Sequence, residues 1–231
     1  MTTQRMTTER TTTEVPTRRS DVRVGVPTGA VPPNAAPVEH DLPGEHPVLA
    51  RRYRAGDVRT GAFGRGFRTL LDLALVPVDG HVVVEFPDRR SLRFVPTSTG
   101  WLCTAGPHHE LTVAEHTWRL AIDTGGRAGV AEFDERGHLT AWSSPAASVL
   151  LRRDRRGRAI AIDDGRHRLE LAWDGGHVVQ VTTGRGQTAT YAYGTGGAAL
   201  HRLVRVRRPD GVVSYSWHDG CATRRHLAAV C

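Results

Sequence analysis

A related stretch of sequence recurs every 20 residues through the second half of the chain. Its copies begin at Phe133, Arg153, Trp173 and Tyr193, and a fifth, imperfect copy begins at Trp217, 24 residues after the fourth. Each copy usually has an aromatic residue, Asp or a substitute, a turn with glycine and then an alternating strand. About 20 residues fit two short strands and two turns, so each copy predicts one β-hairpin. A fixed period is typical of repeat architectures, in which each unit buries its apolar face only against its neighbours.

Short strands are also predicted upstream of the repeats. LALVPV and HVVVEF flank Asp79-Gly80, a strong hairpin signal because both central residues of the favoured turn need positive φ. SLRFVP, WLCTA, ELTVAE and TWRLAID follow as further segments of strand length. RTLLDLALV, near residues 68–76, is the best helical candidate, but its turn-rich flanks favour a strand. With 25 glycines and 13 prolines in 231 residues, the chain suits many short strands joined by turns.

These patterns predict an all-β fold of antiparallel hairpin repeats that form a curved sheet, part of a β-cocoon or solenoid. Three regions are expected. Residues 1–37 are predicted to be a disordered leader rich in Thr, Arg and Pro, because a segment with almost no large apolar residues cannot offset its ordering entropy by burial. Residues 38–130 are expected to form an opening β region, and residues 131–231 carry the repeats and stop part-way through one.

The repeat resembles the YD repeat of the Rhs and teneurin-like proteins. An aromatic residue and Asp stand at the Tyr-Asp position, glycines hold the turn, and tyrosines lie on the returning strands. The residues that carry this match are Phe133, Asp134, Gly137, Asp154, Gly157, Trp173, Asp174, Gly176, Tyr191, Tyr193, Tyr215 and Trp217. Their expected role is packing across strands, where an aromatic pair contributes about 0.5–1.5 kcal/mol beyond its buried area.

A second motif in the expected order resembles the segment that opens the Rhs core. DLPGEHPVLARRYRAGDVRTGAFGRGF is similar to a pattern that reads Asp-Leu-x-Leu-Pro-Gly, then Arg-x-Tyr, then Gly-x-Phe-Gly-x-Gly-Trp. The matching residues include Tyr53, Gly61, Phe63, Gly64, Gly66 and Phe67. Phe67 stands where the pattern usually shows Trp, a replacement that keeps an aromatic ring. The two motifs together extend the resemblance over about residues 20–231.

The resemblance implies a structural function. In Rhs proteins the repeats coil into one long sheet that spirals into a hollow shell around a C-terminal toxin or effector. The chain is therefore expected to be a shell fragment of a polymorphic toxin protein, with the remainder of the shell or a toxin cargo as its partner. The family's acidic self-cleavage motif after the repeats is not found here, and the chain stops in mid-repeat at HLAAVC.

Charge and composition argue against several other classes of function. The chain has a net charge of +7, and all 31 of its basic residues are arginines spread along its length, which argues against a specific nucleic-acid footprint. Three cysteines without a Cys-x-x-Cys pair fit neither a disulfide scaffold nor a zinc site. No apolar run is long enough to insert into a membrane, and the first residues lack the apolar core of a signal peptide. A cytoplasmic location or export by a specialised secretion system is expected.

Three groups of residues were weighed as reactive sites, and each has a simpler interpretation. Gly61, Gly64 and Gly66 lack the order and flanking helix of a phosphate-binding loop. His108-His109 point to opposite faces of a strand, which disfavours a metal shared with Glu110 or His116. Asp163-Asp164 precede Gly165-Arg166, which is turn chemistry. The chain is predicted to have no catalytic residue, cofactor or metal. The alternative function is a glycan-binding or adhesion module that uses exposed Trp and Arg side chains.

Overall fold

The computed structural model of the chain describes residues 38–42, 48–54, 56–106, 108–123, 128–145, 147–215 and 217. The predicted leader, residues 1–37, lies outside the described residues, and so do Cys221, Cys231 and the HLAAVC end. Almost every element in the described ranges is a β-strand, and neighbouring strands pair antiparallel, which confirms the predicted fold class. Among the described residues, no helix has the length and apolar character needed to cross a bilayer.

Residues 38–72, named here the opening segment, form two small sheets. Its strands are β1 (Val38–Glu39), β2 (Arg51–Tyr53), β3 (Thr60–Gly61), β4 (Gly64–Arg65) and β5 (Phe67–Arg68), ordered β1-β2-β5 and β3-β4. A single 3-10 turn (Leu70–Asp72) follows, begun by Thr69, whose hydroxyl accepts the Leu71 N–H while the Asp72 carboxylate accepts the Thr69 N–H. This reciprocal cap fixes a helical turn. The strand expected through RTLLDLALV therefore begins only at Ala74.

The rest of the described chain forms one 15-stranded antiparallel sheet in which the strands follow their sequence order. The upstream strands are β6 (Ala74–Val78), β7 (His81–Glu85), β8 (Ser91–Thr97), β9 (Gly100–Cys103), β10 (His109–Ala114) and β11 (Thr117–Asp123). The downstream strands are β12 (Ala128–Phe133), β13 (Leu139–Ser144), β14 (Ala147–Arg153), β15 (Ala159–Asp163), β16 (Arg168–Asp174), β17 (His177–Thr183), β18 (Thr188–Tyr193), β19 (Leu203–Arg208) and β20 (Gly211–Ser214). A second 3-10 turn, Gly197–Ala199, lies between β18 and β19.

The sheet has one buried and one exposed face, as alternating strands require. In β14 the buried positions are Val149 and Leu151, and in β16 they are Leu169 and Leu171. These side chains belong to one continuous apolar cluster that also contains side chains of the opening segment. The resemblance implies a hollow shell, but this part of the sheet is packed against its own opening segment.

The sheet bends far enough for its first strand to meet a downstream turn. The Leu75 N–H donates to the Gly137 carbonyl at 2.9 Å, and Ala74 forms an isolated bridge with His138. The predicted hairpin at Asp79-Gly80 joins β6 and β7, but only Gly80 of these two residues has a positive φ. The bend places the turns after β12, β14, β16 and β18 along the opening segment and the residues that follow it.

Candidate functional site: the motif turns and the opening segment

The turn after β12 is held by the side chain of its first residue. The Asp134 carboxylate accepts the N–H groups of Arg136 at 3.0 Å and His138 at 2.8 Å, and the Gly137 N–H donates to the Asp134 carbonyl at 2.9 Å. Gly137 adopts a φ of 80°, which favours glycine. Partial burial acts to raise the pKa of Asp134, but the hydrogen bonds and ring charge of His138 outweigh it and lower that pKa.

The turn after β14 repeats this arrangement. The Asp154 carboxylate accepts the N–H groups of Arg156 and Arg158, both at 2.9 Å, and Gly157 also has a φ of 80°. The guanidinium of Arg158 adds a 2.8 Å bond from Nε to the same carboxylate. The Asp-x-x-Gly spacing is therefore a self-capped turn in these two copies.

The third and fourth copies close their turns differently. Asp174 pairs with His177 across a two-residue turn, and the positive φ lies at Gly175, the neighbour of Gly176. After Tyr193, a longer connection contains the 3-10 turn and returns through His201. All four turns lie at the same end of the sheet, which is named here the motif end.

Each of the first four copies begins with a break in strand register. The register shifts at Phe133, Arg153, Trp173 and Tyr193, so an irregularity of the bulge type recurs with the 20-residue period. A bulge interrupts the ladder of backbone hydrogen bonds and bends the strand. The repeat in the sequence is thus a repeated bend in the sheet.

A side-chain hydrogen bond joins each copy to the preceding one. The donors and acceptors are Arg153 Nε to Leu139 O at 2.7 Å, Trp173 Nε1 to Ala159 O at 2.7 Å, Tyr193 Oη to Val178 O at 2.6 Å and Trp217 Nε1 to Leu203 O at 2.9 Å. Each accepting residue pairs, at the bulge, with the first residue of the preceding copy. We call this recurring contact the carbonyl lock.

The carbonyl lock explains which residues can begin a copy. The accepting residues are buried, and a buried carbonyl without a hydrogen-bond partner costs about 1–3 kcal/mol. A large side chain that carries an N–H or O–H donor meets this need, so Arg153 can replace an aromatic residue. Phe133 has no donor, but the β10–β11 hairpin that precedes it pairs in continuous register. The sequence pattern marked the aromatic positions but missed the donor that distinguishes the later copies.

The opening segment makes backbone contacts with successive motif hairpins. Val178 N–H donates to the Ala62 carbonyl at 2.9 Å, and Arg65 N–H donates to the His201 carbonyl at 2.7 Å. Gly64, with a φ of 86°, lies so close to the chain that an added Cβ would come within 2.7 Å of the His201 carbonyl and 3.1 Å of the Tyr193 ring. The glycines of this segment therefore allow close approach, as a tight structured turn requires.

Aromatic side chains fill the space between the opening segment and the last motif strands. Phe63 contacts Tyr191 with a centroid separation of 4.9 Å, and Phe67 contacts Tyr215 at 5.5 Å. Tyr53 packs between Phe67 at 5.3 Å and Trp217 at 5.4 Å. Aromatic residues predicted from two separate motifs thus belong to one cluster.

A buried ionic network lies beside this cluster. The Arg51 guanidinium, with no exposed surface, donates to the Asp41 carboxylate at 2.6 and 2.8 Å and to Glu39 at 2.9 Å. The Tyr191 hydroxyl donates to Asp41 at 3.1 Å, and the Tyr215 hydroxyl donates to Glu39. A further ion pair reaches Asp41 from strand β19, with the guanidinium of Arg208 at 3.1 Å. The network ties the first described residues to the last motif strands.

The charges of this network stabilise one another. Burial acts to lower the pKa of Arg51, but the charge of Asp41 outweighs it and holds that pKa well above its usual value. Burial acts to raise the pKa of Asp41, but Arg51 and Arg208 hold it below its usual value. Burial also raises the pKa values of Tyr191 and Tyr215, so both hydroxyls keep their protons at neutral pH. Sequence reasoning did not single out Glu39, Asp41 or Arg51.

Asp163, Asp164 and His116, which resemble parts of reactive sites in the sequence, lie in turns or at the exposed surface. Asp163 accepts the Gly165 N–H at 2.8 Å, and Asp164 accepts the N–H groups of Arg166 and His167, so both carboxylates cap their turn. His116 lies 3.7 Å from the exposed Glu135 carboxylate. Over the ranges that the structure describes, no set of three His, Cys, Asp or Glu residues is placed to hold a metal ion. Among the described residues, the carbonyl lock, the aromatic cluster and the ionic network hold the hairpins to one another and to the opening segment.

No family model matches the chain, and no curated protein matches it. The similarity to Rhs and YD-repeat proteins therefore remains a prediction from the two motifs. The geometry of the motif end stands independently of that prediction.

Proposed function

We propose that the chain is the opening part of an encapsulating β-wall, as in the Rhs-type shell proteins that its motifs resemble. The observation that carries this proposal is the carbonyl lock. Four copies in succession satisfy a buried carbonyl of the preceding copy with their own first side chain. Such a contact extends a sheet one hairpin at a time and creates no cleft for a reaction.

The wall would act by exclusion. A sheet whose strands are paired on both sides offers few free backbone groups and separates what lies on its two faces. The opening segment supports the role of a closed end, because it packs against the apolar face of the last motif strands and is fixed there by Arg51 and its partners. A C-terminal effector would lie beyond this filled end, enclosed by further hairpins of the same kind.

The DNA downstream of the codon for Cys231 provides the first test. We expect it to encode, in the same or a shifted frame, more 20-residue copies that begin with an aromatic residue or Arg and continue with Asp-x-x-Gly, followed by a different domain. Expression of the chain together with such downstream copies and that last domain should yield a particle in which the last domain resists protease until the wall is denatured. Downstream DNA without such copies would contradict the proposal.

The isolated chain offers a second test. Among the described strands, the last one, β20, pairs only with β19, so we expect the 231-residue chain to associate or aggregate through that strand edge at tens of micromolar. Sedimentation velocity and a thermal melt would measure this. A monomer that melts cooperatively at the same concentration would count against an incomplete wall.

The alternative function, a glycan-binding or adhesion module, rests on a different observation. Such a module needs an aromatic ring and a cation at one surface, and Arg52 and Trp142 line the same open cleft.

A further inference from the structure

An open cleft of about 650 Å³ separates the opening segment from the β13–β14 hairpin. One wall includes His40, Arg52 and Arg68, and the opposite wall includes Trp142 and Ser144. Binding cavities for small ligands typically measure about 300–1,000 Å³ and combine apolar surface with a few polar groups. The cleft has the size and the mixed lining of such a site.

The wall formed by the opening segment carries uncompensated positive charge. Arg52 lies directly opposite Arg68 in the β2–β5 pair, and like charges at that position repel. Asp57 neutralises Arg68 at 3.0 Å, whereas Arg52 is exposed and has no ion-pair partner among the residues that the structure describes. Among the described residues that line the cleft there is no carboxylate. A bound anion would therefore pair with the guanidinium of Arg52.

The wall formed by the sheet carries a partly exposed indole. Trp142 pairs with Ala131 and Val149, which are both buried, but Trp142 itself keeps exposed surface. Its ring lies over Gly129, where an added Cβ would come within 2.9 Å of the indole. Because Gly129 has no side chain, the indole of Trp142 packs against its backbone, and part of the ring stays accessible to the cleft.

We propose that this cleft binds an acidic saccharide, with a sugar ring against Trp142 and a carboxylate or sulfate group on Arg52. A sugar offers an apolar C–H face to an aromatic ring and hydroxyls to the imidazole of His40. The proposal rests on the glycan-binding alternative and does not depend on the enclosing role of the wall, since the residues that carry it are described residues of this chain.

An acidic peptide is less suited to the same cleft. Peptides that bind along a sheet usually add to a free strand edge, where their backbone groups find partners. Strands β13 and β14 are paired on both sides, with β12, with each other and with β15. Against the sheet wall a peptide would therefore bury amide groups without partners, a cost that a saccharide avoids. On the opposite wall, only the two-residue strands β1 and β5 keep a free edge among the described strands.

Titration calorimetry on the full chain at 150 mM salt, at a protein concentration at which sedimentation velocity shows a monomer, tests the proposal. The probes are a disaccharide that contains a uronic acid, the same disaccharide with that acid reduced to an alcohol, and the tripeptide Glu-Trp-Glu. We expect one acidic disaccharide to bind per chain, at least about tenfold more tightly than the neutral one, because a charge-assisted hydrogen bond is lost. The tripeptide should bind more weakly than the acidic disaccharide.

Two variants separate the cleft from general arginine electrostatics. Arg52→Gln should weaken binding of the acidic disaccharide about tenfold or more, whereas Arg205→Gln, on the exposed face of β19, should change it by less than about twofold. Trp142→Leu should weaken the acidic and the neutral disaccharide alike, and a thermal melt establishes that this variant is folded. Equal weakening in both arginine variants, tighter binding of the tripeptide, or no binding of the acidic disaccharide would overturn the proposal.

Discussion

The two ends of the hairpins contain the same turn in different surroundings. At the motif end, Gly137 has a φ of 80° and its N–H donates to the Asp134 carbonyl at 2.9 Å. At the opposite end, Gly186 also has a φ of 80°, and its N–H donates to the Thr183 carbonyl at 2.8 Å. An added Cβ at Gly137 would lie 1.7 Å from the Leu75 carbonyl oxygen, whereas at Gly186 it would meet nothing within 4 Å.

This difference separates local from tertiary causes. Both turns need glycine for the left-handed backbone conformation, which is a local requirement that any Asp-x-x-Gly or Thr-x-x-Gly stretch shares. Of these two turns, only the one at Gly137 adds a second requirement, because the backbone of Leu75 packs against it. The motif end is therefore where substitutions should cost most, and the following predictions test this contrast.

The largest effect is expected from the ionic network that joins the opening segment to the last motif strands. Arg51→Met should lower the free energy of unfolding by about 3–5 kcal/mol, because Asp41 and Glu39 are left in a buried site without their main cation. Arg205→Met, at an exposed strand position, should stay within about 0.5 kcal/mol. Urea denaturation of both variants measures the difference. Similar stability of the two would show that the opening segment is not fixed by this network.

The paired glycines give the next largest effect. Gly137→Ala should destabilise the protein by about 2–4 kcal/mol, since it combines backbone strain with a clash against the Leu75 backbone. Gly186→Ala should cost about 1–2 kcal/mol, because only the strain remains. Both values come from denaturant titrations under one buffer condition. Equal losses would mean that the bend does not hold β6 against the turn after β12.

The turns themselves, which have local causes, could be predicted from the sequence. The 20-residue period predicted the hairpins, and the glycine of each copy predicted a turn, because both depend on residues close together in the chain. The sequence did not reveal which of the two ends would be packed. That depends on how far the sheet bends, which is set by bulges whose residues are identified only once the strand pairing is known.

The buried ionic network around Arg51 could not be predicted from the sequence for a related reason. Arg51 is one of 31 basic residues, all of them arginines, and nothing in its neighbours marks it as fully buried. Its partners Tyr191 and Tyr215 lie more than a hundred residues away along the chain. The carbonyl lock was closer to detection, because every copy after the first begins with a side chain that carries an N–H or O–H donor.

A smaller effect is expected from a single hydroxyl of the carbonyl lock. Tyr193→Phe keeps the ring but removes the donor to the Val178 carbonyl, and should cost about 1–3 kcal/mol because that buried residue loses its partner. Thr112→Val removes a hydroxyl that donates to the Arg119 carbonyl on exposed upstream strands, and water can replace it, so the cost should be below about 0.5 kcal/mol. A denaturant titration in which the two losses are equal would mean that the bulged carbonyl at Val178 finds another donor.

The smallest effect concerns the pH dependence of the motif end. Burial and the charge of His201, which lies 3.2 Å from His177 between ring nitrogens, lower the pKa of His177, while Asp174 acts in the opposite direction. A histidine whose pKa is lowered in the folded state binds its proton at higher pH when unfolded, so stability is lost as the pH falls below about 6.5. Urea midpoints at pH 7.5 and 5.5 should therefore differ more for the natural chain than for His177→Gln. His201→Gln should also reduce the difference, because it removes the neighbouring charge that opposes protonation. An unchanged difference in both variants would place the titrating group elsewhere.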